Sequence, residues 1–185
     1  MLKKRICLIG NCQMLGLVKF LTELSPNIEA KWIDINNRWQ PYKWTHDVNI
    51  FSHQYMQYRV CDSSKAKEVA QTTDIIIYQP NFLVNKFIEK NITQQNIIKI
   101  TLSPIFVNDI DFVIRKENKY NCNIKVSEII KNNQDKKLYI KQDNHISTFL
   151  SLEIVRHICD IINVSFYSTI EYNRLLATQY PNFKE

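Results

Sequence analysis

Apolar residues run unbroken from Ile6 to Ile9, and the run stops at Gly10. Such a run suits a strand covered on both faces, as in a parallel sheet. From Gln13 to Leu24 the spacing turns helical: Met14, Leu17, Val18, Leu21 and Leu24 fall on one face, and Pro26 stops the helix. Ala30 to Ile35 alternates as a second strand, with Trp32 and Asp34 on one side and Ile33 and Ile35 on the other. Ser64 to Gln71 reads as a helix. Asp74 to Tyr78 is the clearest strand, and it ends at Gln79-Pro80-Asn81. Asn81 then caps a short helix to about Glu89. Ile97 to Leu102 is a further strand, followed by Ser103-Pro104.

Later in the chain the pattern is weaker. Val107 to Asn123 has no clear period. Val126 to Lys131 reads as a helix, and Leu138-Tyr139-Ile140 as a last strand leading into Gln142-Asp143-Asn144-His145. A strong helix follows from about Ser147 to Ile162, with Leu150, Ile154, Ile158, Ile161 and Ile162 on its apolar face. Between Asn36 and Arg59 the pattern dissolves into an aromatic-rich loop holding Trp39, Tyr42, Trp44, Phe51, Tyr55 and Tyr58. Val48 to Phe51 is a candidate short strand within it. Strands alternating with helices predict a three-layer α/β sandwich on a parallel sheet, in one domain over residues 1–185. Ligands of such sheets bind beyond the carboxyl ends of the strands. Gly10-Asn11-Cys12-Gln13, Gln79-Pro80-Asn81 and Ser103 all fall at such ends.

Composition narrows the chemistry. The chain of 185 residues holds two glycines, Gly10 and Gly16. That excludes the dinucleotide fingerprint, the Walker A loop, the Gly-x-Ser-x-Gly elbow and the kinase glycine loop, which need more glycine or other spacing. Gly10 is expected to turn the chain sharply and leave room for a ligand beside the backbone. Gly16 is expected to let the helix approach the sheet closely.

The net charge of +6 favours an anionic ligand. The charges are scattered, with Lys3-Lys4-Arg5 the longest basic run, and no zinc-finger or RNA-binding motif argues for nucleic acid. Five cysteines without a Cys-x-x-Cys pair argue for free thiols in a reducing cytoplasm. No signal-peptide pattern and no membrane-length apolar stretch is present, and no metal site is expected. A homo-oligomer is left open.

Cys12 is the first candidate for chemistry. At the start of the first predicted helix it meets unpaired N–H groups and a positive dipole end. Both favour thiolate, hence a nucleophile, and the same N–H groups suit an oxyanion. The competing reading is a small buried cysteine. His145, just before the last helix, is the best general base, against a capping or packed histidine. Asp143, two residues earlier, faces the same side of an extended segment and would orient it, or else is a solvated loop residue. Gln79 and Asn81 would donate to an oxyanion, or cap a strand end. Rings of the 36–59 loop would stack on a sugar or an adenine, with Arg38, Lys43 or Arg59 meeting phosphate, or else cover the sheet edge.

The strand Ile6-Cys7-Leu8-Ile9 leading into Gly10-Asn11-Cys12-Gln13 resembles the start of WcbI-type capsular polysaccharide biosynthesis enzymes. It is also similar to the first block of SGNH/GDSL hydrolases, with Gly-Asn-Cys where Gly-Asp-Ser stands. The strand ending in Gln79, the run Leu102-Ser103-Pro104-Ile105-Phe106, and Asn144-His145 before a helix agree with the family in order. The resemblance implies an SGNH-hydrolase-like (flavodoxin-like) sheet and a coenzyme A-dependent acetyltransferase acting on a sugar of a capsular or surface polysaccharide. It implies Cys12 as nucleophile or thioester-site residue and His145 as base. Gly10, Asn11, Gln13, Gln79, Asn81 and Ser103 would be their oxyanion-stabilising or substrate-binding neighbours. The hydrolase pattern has Asp three residues before His, where this chain has Gln142. A Cys–His dyad is therefore expected rather than a triad.

The alternatives are a carbohydrate esterase or deacetylase on the same fold, and a non-catalytic protein that binds a sugar or nucleotide.

Overall fold

The computed structural model describes residues 3–11, 13–34, 57–59, 63–93, 96–102, 110–136, 138–140 and 145–165. Five strands form one parallel sheet: β1 (Lys4–Gly10), β2 (Ile28–Asp34), β3 (Gln57–Arg59), β4 (Ile75–Tyr78) and β5 (Asn96–Lys99). The order across the sheet is β3-β2-β1-β4-β5. Among the described strands this is the doubly wound order 3-2-1-4-5, not the expected flavodoxin-like 2-1-3-4-5. The order reverses between β1 and β4, and that reversal is the topological switch point of a doubly wound sheet.

Register follows from burial on both faces. Ile6 pairs with Ala30 and Ile75, and Ile9 with Ile33 and Tyr78. A one-residue slip would exchange the faces of every side chain. Ile6, Leu8, Trp32, Ile75 and Ile77 point into one core with helices α1 (Gln13–Leu24) and α6 (Thr148–Ile161). The helices α4 (Ile110–Tyr120) and α5 (Val126–Asn132) add Val113, Val126, Ile129 and Ile130 to the same core. Cys7, Ile9, Ile33, Ile76 and Tyr78 point the other way, against Ala66, Val69 and Ala70 of α2 (Ser63–Gln71) and Val84, Phe87 and Ile88 of α3 (Phe82–Asn91). Each buried Ile, Leu or Val contributes roughly 1.5–3 kcal/mol. The result is the three-layer α/β arrangement that the alternation predicts.

The helix ends show how a chain so poor in glycine terminates its helices. Neither α4 nor α6 has glycine after it. Asn121 and Asn163 take the left-handed conformation there, at φ 49° and 53°. Cys122 N–H then donates to the Glu117 carbonyl at 2.9 Å, and Val164 N–H to the Cys159 carbonyl at 3.0 Å. These are Schellman closures with asparagine in the usual place of glycine. Helix starts are capped by side chains: Asn81 Oδ1 accepts from Val84 N at 2.9 Å, and Ser147 Oγ from Leu150 N at 3.1 Å.

Three elements depart from the sequence reading. The stretch 107–123, without clear period, contains α4. The parallel strand expected over 97–102 is β5, Asn96–Lys99, after which Ile100 makes only an isolated bridge to Ile124. Leu138-Tyr139-Ile140 does not extend the parallel sheet. Its β6 (Tyr139–Ile140) pairs antiparallel with β7 (His145–Ile146) in a separate ribbon. Two residues are too few to carry an alternation pattern. Most of the aromatic loop at 36–59 lies outside the described residues.

Candidate functional site

The switch point between β1 and β4 is organised around one carboxamide. Gln79 follows β4 directly and is 8 % exposed. Its backbone N–H continues the sheet, donating to the Ile9 carbonyl at 2.9 Å. Its side-chain Oε1 accepts from Asn11 N–H at 2.9 Å, and its Nε2 donates to the Leu102 carbonyl at 2.5 Å. One side chain thus joins the polypeptide leaving β1 to the polypeptide leaving β5. Both backbone groups lie past the last ladder pairs of their strands.

Gly10 explains why the carboxamide fits. A Cβ built at residue 10 would lie 2.6 Å from Gln79 Oε1 and 2.6 Å from Met14 Cγ. Gly10 is the last residue of β1, and its φ is not positive. The expectation that it turns the chain and leaves room for a ligand is therefore corrected. Its missing side chain makes room for Gln79 and Met14. On the other side, Trp32 Nε1 donates to the Gly10 carbonyl at 3.1 Å, within the core.

Asn11 makes the step from strand to helix. Its Oδ1 accepts from Gln13 N at 3.1 Å, and its carbonyl from Met14 N at 3.0 Å. The first is an Asx turn, which directs the chain into α1. Gln13 opens the helix and is buried. The first turn of α1 carries no acidic side chain. Gly16 is buried on the same helix.

Gly10, Asn11, Gln13 and Gln79 thus come together, although 68 residues separate Asn11 from Gln79. Asn81 stands two residues further on, where its side chain caps α3. Cys12, Arg38, Lys43, Ser103 and Asp143 lie outside the described residues. His145 belongs to β7, paired with Ile140. The side chains of His145 and Arg59 are outside the described part.

Trp32 and Met14 are the contributors that sequence reasoning missed. Alternation in β2 places Trp32 on a face, but nothing in the pattern announces its bond to Gly10. Met14 reads as core, which it is.

The thiols of known environment are not reactive ones. Burial pushes the Cys7 thiol up to about 12, against a smaller opposing effect of Lys31. Burial likewise raises Cys159 to about 11, with Asp160 adding to it. Cys122 is raised by burial, partly offset by its hydrogen bond with Thr101. Among the described residues, no group of three or more His, Cys, Asp or Glu is placed to hold a metal ion. Among them too, no helix is long and apolar enough to cross a membrane. A cavity of about 330 Å³ lies elsewhere, between α5 and α6, bordered by Lys125, Glu128, Asn132, Glu153, Arg156 and His157. It is lined by none of the candidate site residues. No protein-family model matches the chain, and no curated protein matches it either.

Proposed function

We propose that the chain is a coenzyme A-dependent acyltransferase, with an acetyl thioester as donor and a sugar hydroxyl of a surface polysaccharide as acceptor. The observation that supports this reading is the position of the Gly10-Asn11-Cys12-Gln13 run. It leaves the carboxyl end of a central strand at the switch point and enters a helix whose first turn carries no acid. An anionic ligand and a thiolate are both favoured at such a helix start. The overall charge of +6 also favours an anionic donor.

In this reading His145 takes the Cys12 thiol proton as the sulfur attacks the thioester carbonyl, and passes it to the departing sulfur, so coenzyme A leaves as its thiol. His145 then takes the proton from the sugar hydroxyl as that oxygen bonds to the acyl carbon. The Cys12–acyl bond breaks, and the proton returns to the Cys12 sulfur. A backbone N–H of the strand-to-helix turn would be the oxyanion donor, while those of Asn11, Gln13 and Met14 are held by Gln79 Oε1, Asn11 Oδ1 and the Asn11 carbonyl. The Gln79 carboxamide, already engaged at both ends, contributes support rather than a free donor pair.

Calorimetry with coenzyme A tests the reading first: binding is expected, and its absence would remove the proposal. Cys12→Ser and His145→Ala are each expected to abolish acetyl transfer to a sugar acceptor while the protein stays folded. Full transfer by either variant overturns the mechanism. Hydrolysis of p-nitrophenyl acetate without transfer would identify an esterase instead.

A further inference from the structure

We propose that Gln79 is a positioning residue. Seated in the space that Gly10 leaves, its carboxamide holds the Asn11 peptide and so fixes the turn that carries the chain from β1 into α1. The geometry restricts the choice of side chain. The group must accept at Asn11 N–H, 2.9 Å away, and donate at the Leu102 carbonyl, 2.5 Å away. Among uncharged side chains of this reach, a primary carboxamide presents both an acceptor and a donor. A carboxylate would accept at Asn11 but leave the Leu102 carbonyl facing a second acceptor. Methionine matches the length and offers neither bond.

The site is also closed from above. Gly10 cannot carry even a methyl group without displacing Gln79 Oε1 or Met14 Cγ, each 2.6 Å from the Cβ position. Glycine and glutamine are thus one device: the first provides the volume and the second fills it with a two-ended hydrogen-bonding group. Asn11 adds the next link, because its N–H is held by Gln79 while its Oδ1 accepts from Gln13 N. Any shift of the carboxamide is passed to the first turn of α1. The catalytic meaning of this turn rests on the proposed function. Its structural meaning does not.

The test uses the full chain as wild type, Gln79→Met and Gln79→Glu. Amide hydrogen exchange is read at Asn11 and, as a control for general stability, at Ile76 in the neighbouring strand. In Gln79→Met, exchange at Asn11 is expected to rise about tenfold relative to Ile76, the equivalent of one lost hydrogen bond. Gln79→Glu serves as the conservative rescue. Its buried carboxyl, when protonated, can donate to Leu102 and accept from Asn11. Protection of Asn11 relative to Ile76 is therefore expected at low pH. It falls as pH rises because the ionised carboxylate, although still an acceptor, is pushed from its seat by the Leu102 carbonyl, a dependence absent from wild type and from Gln79→Met. Asn11 and Ile76 changing in step in both variants overturns the proposal.

Alkylation of Cys12 by iodoacetamide against pH supplies the second readout. A displaced profile in Gln79→Met, at unchanged Ile76 protection, extends the positioning to the nucleophile. An ordinary thiol profile already in wild type would overturn Cys12 as the activated nucleophile. In that case the exchange at Asn11 still decides the role of Gln79.

Discussion

Glu117 of α4, 1 % exposed, accepts from both the backbone N–H and the hydroxyl of Ser127 at the start of α5, at 2.9 and 2.5 Å. Lys125, the residue before α5, makes no side-chain cap of its own. The neighbouring helix therefore supplies the cap, with both carboxyl oxygens of Glu117 set at the start of α5. Glu117→Ala leaves a buried hydroxyl and a buried N–H unpaired. A loss of about 2–3 kcal/mol is expected, read as a lower urea midpoint. Glu117→Gln, which keeps one acceptor, is expected to cost less.

Arg5 and Asp74 tie together the amino ends of the adjacent strands β1 and β4. Arg5 Nη2 and backbone N–H reach the Asp74 carboxylate at 2.8 Å each, and Asp74 N–H returns to the Arg5 carbonyl at 2.8 Å. The side-chain hydrogen bond from Arg5, more than its charge, holds the Asp74 carboxyl below its ordinary value. A depressed carboxylate stabilises the fold above its unfolded pKa, about 3.9, and that contribution disappears as pH falls through the lower folded value. Both groups are half-exposed, so solvent screens the pair and the effect is small. Asp74→Asn is expected to flatten the acid limb of the stability curve below about pH 4. Its thermal midpoint, scanned from pH 2 to 7, measures the difference.

Thiol labelling separates the cysteines. Cys7, Cys122 and Cys159 are free, buried and raised in pKa. The thiolate is the reacting form, so the native protein at pH 8 is expected to leave all three unmodified by iodoacetamide. Each is expected to label fully in urea. Peptide mass spectrometry reads the pattern, and native modification of Cys7 would contradict its burial.

Asn121 and Asn163 offer a route to a more stable protein. Each occupies a left-handed position that glycine adopts without strain. Asn163→Gly and Asn121→Gly are each expected to be neutral or stabilising by a few tenths of a kcal/mol. Asn→Ala at either position is expected to cost about 1 kcal/mol, because the Cβ then carries the strain without a local hydrogen bond. Chemical denaturation of the four variants checks both signs.

How far the sequence could be read depended on what each element buries. β1 and β4 were legible because both faces are covered, so Ile6 to Ile9 and Ile75 to Ile77 are unbroken apolar runs. The Gln13–Leu24 helix was legible because Met14, Leu17, Val18, Leu21 and Leu24 of its buried face keep the helical period. α4 was not, because its inward positions are Val113 and Glu117, and a buried carboxylate breaks the apolar period. At the candidate site, the strand-to-helix step at Gly10 and the importance of Gln79 could both be marked in advance. Their relation could not. Gly10 yields its volume to a residue 69 positions later in the chain, and no local pattern records that. The same holds for Trp32, whose indole bond to Gly10 arises only when β2 lies beside β1.

Lys4 Nζ donates to the Ile162 carbonyl at the end of α6, at 2.6 Å and 158 residues away. The contact marks an order of assembly. The helices α2 and α3 are both made by Asn91. The other side of the same strands receives α6 much later in synthesis. Until then Ile6, Leu8 and Ile77 have only part of their cover, since α6 supplies Leu150, Ile154, Val155 and Ile158 to that core. A nascent chain stopped before residue 148 therefore presents a half-covered sheet, the form of this protein most in need of a chaperone.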